Sequence, residues 1–407
     1  MSVLGAGANG VSGVASARAL GASARGSVVL VVVTVGLTSV LISFGINVAI
    51  RYYLPRPLLG VTMGGYLGLS LLLTLLFAVV VAAIFLGSSY LILPELREPQ
   101  VLGVSLAYAV FTFLAFLYLD AVNALGRLTG SAAAKAAGSV TLLAGTAICW
   151  LVLGATTTNI LVAYTISGVV QVVACIGLMA RHPGGERLAF SWRQARELLR
   201  RGIPALGLSC GQTVAFRADR YVLGLLANPA AVGVYSVAVT VCELMRLPAG
   251  AYGQLALHRA ASGTATLAEI RQGTRRLVGL MVIPAVVLFA VAPWLVEALF
   301  GLEYRGAVVP LRVLLVAEIV LMAFHVNSRV LLGLGATKSA GLVGVVGAVL
   351  ITILDFALIP SLAAVGAAVA SVFAYGVMSG GASWQVGRSW DLHERDPQPL
   401  VPARQSG

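Results

Sequence analysis

Between Arg56 and Glu95 the chain carries no charged side chain, and residues 64–88, GGYLGLSLLLTLLFAVVVAAIFLGS, are apolar almost throughout. A run of that length matches the about 20 residues that an α-helix needs to cross the hydrocarbon core of a bilayer. Comparable runs recur along the whole chain, which is 59% hydrophobic, 10% charged and has a mean hydropathy of +0.96. A soluble globule of 407 residues could not keep that much apolar surface from water. The solvent is therefore lipid. Transmembrane barrels alternate polar and apolar residues, whereas these runs are unbroken, so the fold class is all-α integral membrane protein.

Spans are read at 2–20, 27–50, 64–88, 101–123, 135–155, 159–180, 203–226, 232–255, 277–300, 308–333, 339–359 and 364–382, about twelve helices. The first is short and rich in glycine and alanine, so either it is truncated or its start lies further upstream. On this map 18 of the 27 Lys and Arg fall in the even-to-odd loops and the tail, and 4 on the opposite side. The positive-inside rule then places both termini of this multi-pass protein in the cytoplasm. The formal charge of +12 reports this topology and calls for no nucleic-acid partner. Cys149, Cys175, Cys210 and Cys242 lie in apolar runs without CxxC spacing, which speaks against a disulfide framework or zinc site.

The domain reading is an N-terminal six-helix lobe (1–180), a basic cytoplasmic linker (181–202), a C-terminal six-helix lobe (203–382) and a disordered cytoplasmic tail (383–407). Within the linker, SWRQARELLRR reads as an amphipathic helix on the membrane surface. Two pairs of weakly similar segments support the two lobes. ARALGASARGSVVLVVVTV and RYVLGLLANPAAVGVYSVAVTV form one pair; NALGRLTGSAAAKAAGSV and LLGLGATKSAGLVGVV form the other. Both pairs are six spans apart, as expected for two similar lobes around a central cavity.

Charges inside spans cost a few kcal/mol each unless they face a protein interior or a wet cavity. In span seven, Thr213, Arg217, Arg220 and Gly224 share one helical face, so two guanidinium groups can jointly hold an anion while Asp219 neutralises one of them. Span ten presents Glu318, Met322, His325 and Arg329 as one stripe, suited to substrate contact or ion coupling. Glu243 and Arg246, three apart in span eight, can pair with each other or take part in coupling or gating. Arg220 and Asp355 also sit near span ends, where snorkelling lowers their cost.

ARALGASARG near the start, RGIPALG and DRYVLGLLANPAAVGVYSVA in span seven, LFGLEYRGAVVPLRVLL before span ten, and LLGLGATKSAGLVGVVGAVLITILDFALIPSLAAVGAAVASVFAY together resemble one family. It is the oligosaccharide flippases of polysaccharide biosynthesis, of the O-antigen and teichuronic-acid type. Their superfamily also holds the multidrug and toxin extrusion transporters and the lipid II flippases. The resemblance implies twelve helices in two lobes that alternate between inward-open and outward-open states. It also implies a positively charged cavity for the pyrophosphate and sugars of a polyprenyl-linked oligosaccharide, the lipid staying in the bilayer. Arg217 and Arg220 would then be phosphate contacts, with Asp219, His325 and Arg329 beside the substrate and Glu318, Glu243 and Arg246 in coupling or gating. Polysaccharide-synthesis machinery would be a partner.

Three rival functions would each leave a different mark on the sequence. A cation-coupled multidrug exporter would want acids in the N-terminal lobe, where Asp120 is the single acid within a span. A glycan polymerase or ligase would want a large outward loop, and the outward loops here are short; Glu318 and His325 stand two helical turns apart, about 10 Å. A non-transporting envelope scaffold is the third. No Walker A pattern is present. Energy would come from an Na+ or H+ gradient or from mass action, and no enzymatic cofactor is expected.

Overall fold

The computed structural model describes residues 2–55, 60–181 and 190–395, and among them every regular element is a helix. In chain order these are α1 (Ser2–Ile42), α2 (Ile46–Tyr53), α3 (Met63–Leu91), α4 (Pro99–Ala124), α5 (Leu128–Ile148), α6 (Thr157–Ala180), α7 (Trp192–Leu226), α8 (Pro229–Glu243), α9 (Arg246–Ala261), α10 (Leu267–Phe300), α11 (Val308–Gly333) and α12 (Thr337–Arg395). Short 3₁₀ turns, Pro94–Arg97 and Leu302–Ala307, precede α4 and α11.

A straight helix of 41 residues would be about 60 Å long, twice the thickness of the hydrocarbon core. α1 avoids this by doubling back. Tyr235 of α8 bonds Asp219 of α7 at 2.7 Å, although 16 residues separate them, so α7 and α8 form an antiparallel hairpin. The first half of α1 lies along α8, Gly13 against Thr240 and Ala22 against Gly233, while the second half lies along α7, Leu30 against Gly224 and Gly36 against Arg217. The two halves of α1 therefore run in opposite directions, reversing near Gly21, whose φ of 73° lies in the left-handed region that glycine enters freely. α12 folds the same way at Ala363 (φ 46°): Gly347 meets Met378, and Gly366 meets Leu358.

By length and hydropathy eight described helices can cross a membrane, or nine when α8 and α9, bent by 46°, count as one span. Taking α1 and α12 as two passes each and adding the more polar α7 brings the described passes to twelve. The second pass is itself broken: α1 stops at Ile42, Phe44 and Gly45 take positive φ, and α2 resumes at Ile46. Gly45 packs backbone to backbone on Gly202 of α7, leaving no room for a Cβ on either residue. A break in the second pass and a bend in the eighth put irregular backbone in corresponding passes of the two halves, as at transporter binding sites.

Two expected boundaries move. The basic SWRQARELLRR segment is the opening of α7 and runs straight into the membrane pass; Ala195 and Leu198 are buried in the core, which fixes its direction. The chain beyond Trp384 remains helical to Arg395, because Val386 and Trp390, four residues apart on one face, bury themselves among Ala256, Ala260 and Ile270. Residues 182–189 of the linker and 396–407 of the tail, with Arg56, Arg187 and Arg404, lie outside the described residues.

Both repeated sequence pairs have structural counterparts. Gly126 and Gly335 close α4 and α11 with φ of 75° and 74°, and the bonding is identical: Gly126 N–H to Asn123 O and Arg127 N–H to Val122 O, against Gly335 N–H to Leu332 O and Ala336 N–H to Leu331 O. These are glycine-terminated helix ends of the Schellman type. Gly26 and Gly233, from the other pair, meet where α1 crosses α8.

Candidate functional site

A cavity of about 1160 Å³ opens between the early and late helices. Its walls are the C-terminal ends of α2, α4 and α11 and the N-terminal parts of α5, α7 and α12, so the mouth lies on the face that carries the arginine-rich loops. Six cations line it, Arg51, Lys135, Arg200, Arg201, Arg329 and Lys338, against two acids, Asp120 and Glu197. Asn47, Asn123, Ser131, Gln212, Ser328 and Thr337 add neutral hydrogen-bonding groups.

Part of this charge is already engaged. Asp120 accepts hydrogen bonds from Asn47 (2.9 Å) and from Arg51. Arg201 stacks on the Tyr52 ring, 3.2 Å from its centroid, and Tyr53 donates to Glu197 at 3.0 Å. Such stacking holds a guanidinium in place while leaving its edge free to donate. Below, a smaller cavity of about 200 Å³ reaches along the break between α1 and α2 to Thr213 and shares Asn47, Ser209 and Gln212 with the first.

Of the residues singled out in the sequence, Arg329 lines the cavity wall. The others lie away from that wall, Asp219 and Glu318 buried and Glu243 half-exposed. Arg220 pairs with Glu243 at 3.1 Å, and Arg246 grips Glu318, its Nε lying 2.9 and 2.8 Å from the two carboxylate oxygens. Glu243 and Arg246 thus pair with partners on other helices instead of each other, because the chain bends at Leu244 between them. Asp219 accepts from the Tyr235 hydroxyl and from the Arg220 backbone amide, with no side-chain ion pair to an arginine among the described residues. Arg217 makes no hydrogen bond or ion pair among the described residues; its guanidinium packs over Gly36, where a methyl group would overlap it. His325 lies against Phe216, 5.6 Å between ring centroids, with Nε2 buried and unpartnered. Both carboxylate oxygens of fully buried Asp355 also lack a partner.

Sequence reasoning missed Arg51, Lys135, Arg200, Arg201 and Lys338 as cavity residues, having assigned them to topology alone. The signal was present in the paired turns before α5 and α12, which deliver Lys135 and Lys338 to the same space.

A family model described as polysaccharide biosynthesis protein matches residues 1–257. The chain belongs to that family. No curated protein matches it in sequence. Among solved structures, it is similar to an inward-facing multidrug resistance MATE family transporter of the MOP superfamily, with TM-score 0.75, 15% identity, and coverage of 98% of this chain and 96% of that one. It is also similar to the lipid II flippase MurJ in an inward closed conformation, with TM-score 0.71, 13% identity, and coverage of 96% and 87%. An outward-facing MATE structure, at 16% identity and coverage of 97% and 96%, gives a TM-score of 0.62. The helices of this family member are thus arranged more like the inward-facing structure. The family is that of the polysaccharide biosynthesis proteins, and the fold is the one seen in these solved membrane transporters.

Proposed function

We propose that this chain flips a polyprenyl-pyrophosphate-linked oligosaccharide across the bacterial cytoplasmic membrane by alternating access. The observation that carries the reading is the cavity of about 1160 Å³, with its excess of cations, opening on the arginine-rich face. That volume lies above the about 300–1,000 Å³ of ordinary small-molecule pockets, which suits a head group of several sugars. Cationic side chains over a wet, concave surface attract phosphate oxygens, and guanidinium groups bind them in pairs. An organic cation would be repelled by the same wall, which weighs against the drug-exporter reading.

The positive-inside rule makes the arginine-rich face cytoplasmic, agreeing with the greater likeness to the inward-facing transporter. In this reading Arg329 and the mouth cations receive the pyrophosphate, while Arg217 and Arg220, with Asp219 and His325, meet it as the substrate moves inward. Glu318, Glu243 and Arg246 serve gating or coupling to Na+ or H+, and polysaccharide-synthesis enzymes supply and consume the substrate.

The test is flipping of a fluorescent polyprenyl-pyrophosphate oligosaccharide in proteoliposomes. Wild-type protein should flip it, and Arg329→Ala, checked for folding by its elution profile, should not. Absence of flipping by the folded wild type would overturn the reading.

A further inference from the structure

The chain holds 27 basic residues, and two of them, Lys135 and Lys338, are lysines. Elsewhere, wherever a positive charge is needed for sidedness or pairing, the sequence uses arginine. Both lysines line the same cavity. They reach it from opposite halves, Lys135 from the second turn of α5 and Lys338 from the first turn of α12, just after the two matching glycine turns at Gly126 and Gly335. Neither has an ion-pair partner among the described residues, unlike Arg51 with its Asp120.

Lysine and arginine offer an anion different chemistry. A guanidinium binds phosphate oxygens through a fixed fork, whereas an ammonium is a compact, well-hydrated charge on a flexible stem that can follow a moving group and let it go. Two exposed ammonium groups lining one cavity repel each other. A diphosphate between them turns that repulsion into attraction to a shared anion, drawing the two halves together.

We propose that Lys135 and Lys338 form a clamp for a diphosphate across the cavity mouth, keeping it open when empty and closing it when the anion binds. This rests on the flippase reading and adds a trigger to it: closure of the inner mouth is licensed by the diphosphate itself. The same chemistry is carried by a lipid head group and by free inorganic pyrophosphate, so closing must respond to either, while the free anion lacks the tail that holds the substrate in the bilayer.

The experiment reads the mouth directly. Spin labels are placed on the two halves by Ala133→Cys and Ser339→Cys in a Cys210→Ser background of the full chain, reconstituted in lipid nanodiscs. Pulsed dipolar spectroscopy then gives the distance distribution with no anion, with inorganic pyrophosphate, and with polyprenyl pyrophosphate in the nanodisc. The expected result is a shift to shorter distances with either diphosphate, and a pyrophosphate midpoint raised roughly tenfold by Lys135→Gln or by Lys338→Gln. Lys338→Glu alone should close the mouth without any anion, and Lys135→Glu with Lys338→Glu should reopen it and abolish the response. An open mouth in Lys338→Glu, or an unshifted midpoint in both glutamine variants, overturns the clamp. If the clamp variants respond as expected but the lipid-linked oligosaccharide is not flipped, the substrate reading fails and the clamp stands. Flipping by wild type together with a mouth indifferent to diphosphate leaves that reading in place and removes the clamp.

Discussion

Arg246 on α9 and Glu318 on α11 are joined by a two-oxygen ion pair inside the C-terminal helices, 72 residues apart in sequence, with Nε at 2.9 and 2.8 Å from the carboxylate oxygens. Glu318 is 1% exposed, and the Arg246 guanidinium also stacks over Phe216 at 5.1 Å. Removing one member of such a pair strands the other charge away from water, at a cost of about 3–5 kcal/mol, whereas replacing both by apolar residues is often neutral. Glu318→Ala should lower the Tm in detergent sharply, and Glu318→Leu with Arg246→Met should recover most of it. If the pair gates transport, the double variant will be stable and unable to flip substrate. A Glu318→Ala protein as stable as wild type would show that the pair contributes nothing to folding.

The end of α12 gives a second prediction. Trp390 is 7% exposed and packs with Val386 into the cluster formed by α9, α10 and α11. Trp390→Ala opens a cavity in that cluster and should destabilise the protein by about 3 kcal/mol, as large-to-small changes at aromatic core positions do. Exposed Trp384 is the control, and Trp384→Ala should leave the Tm nearly unchanged. Equal effects at both positions would place residues 384–395 outside the cooperative core.

These two cases show what the sequence discloses. Spans follow from runs of apolar residues, and the glycine turns at Gly126 and Gly335 repeat as local sequence, so both were readable. Pairing was not. Arg220 with Glu243 and Arg246 with Glu318 join different helices, and helical spacing within one span instead favoured Glu243 with Arg246. The cavity was hidden for a related reason. Arg51, Lys135, Arg200, Arg201 and Lys338 are each ordinary loop or helix-end cations, and only the convergence of six helix ends makes them one surface. Beyond Trp384 the polar composition masked a short apolar stripe, Val386 and Trp390, too sparse to register as a helix in sequence but sufficient to dock one.

The crossing of α1 and α8 closes the face opposite the cavity mouth. A methyl group on Gly26 would overlap the Pro229 carbonyl oxygen, and one on Gly233 would overlap the Ala22 carbonyl oxygen. Close backbone approach between small residues is a main source of helix association in lipid. Gly26→Val should therefore push the two helices apart and weaken closure of that face. Labels at Ser23 and Leu302, both exposed, should report a distribution shifted to longer distances. An unchanged distribution would mean that the crossing relaxes without moving the surrounding helices.

Arg312 explains itself through a proline. Pro293 lies inside α10 and has no N–H, so the carbonyl of Phe289, four residues earlier, lacks its helical donor. Arg312 of α11 fills the gap: its Nε donates to Phe289 O at 3.1 Å, and its guanidinium sits 4.9 Å from the centre of the Phe289 ring. A backbone carbonyl without a donor is costly in lipid, so this charge in a membrane pass has a structural use independent of substrate. Arg312→Ala should destabilise the protein by about 1.5–3 kcal/mol, the range for hydrogen bonds that involve a charged group. Pro293→Ala restores an N–H at the missing position and lets α10 satisfy Phe289 itself. In that background Arg312→Ala should cost far less, giving a positive coupling between two residues on different helices in a double-mutant cycle read by Tm. Additive effects would show that Arg312 acts on something other than this carbonyl, with the aromatic stacking on Phe289 the next group to remove.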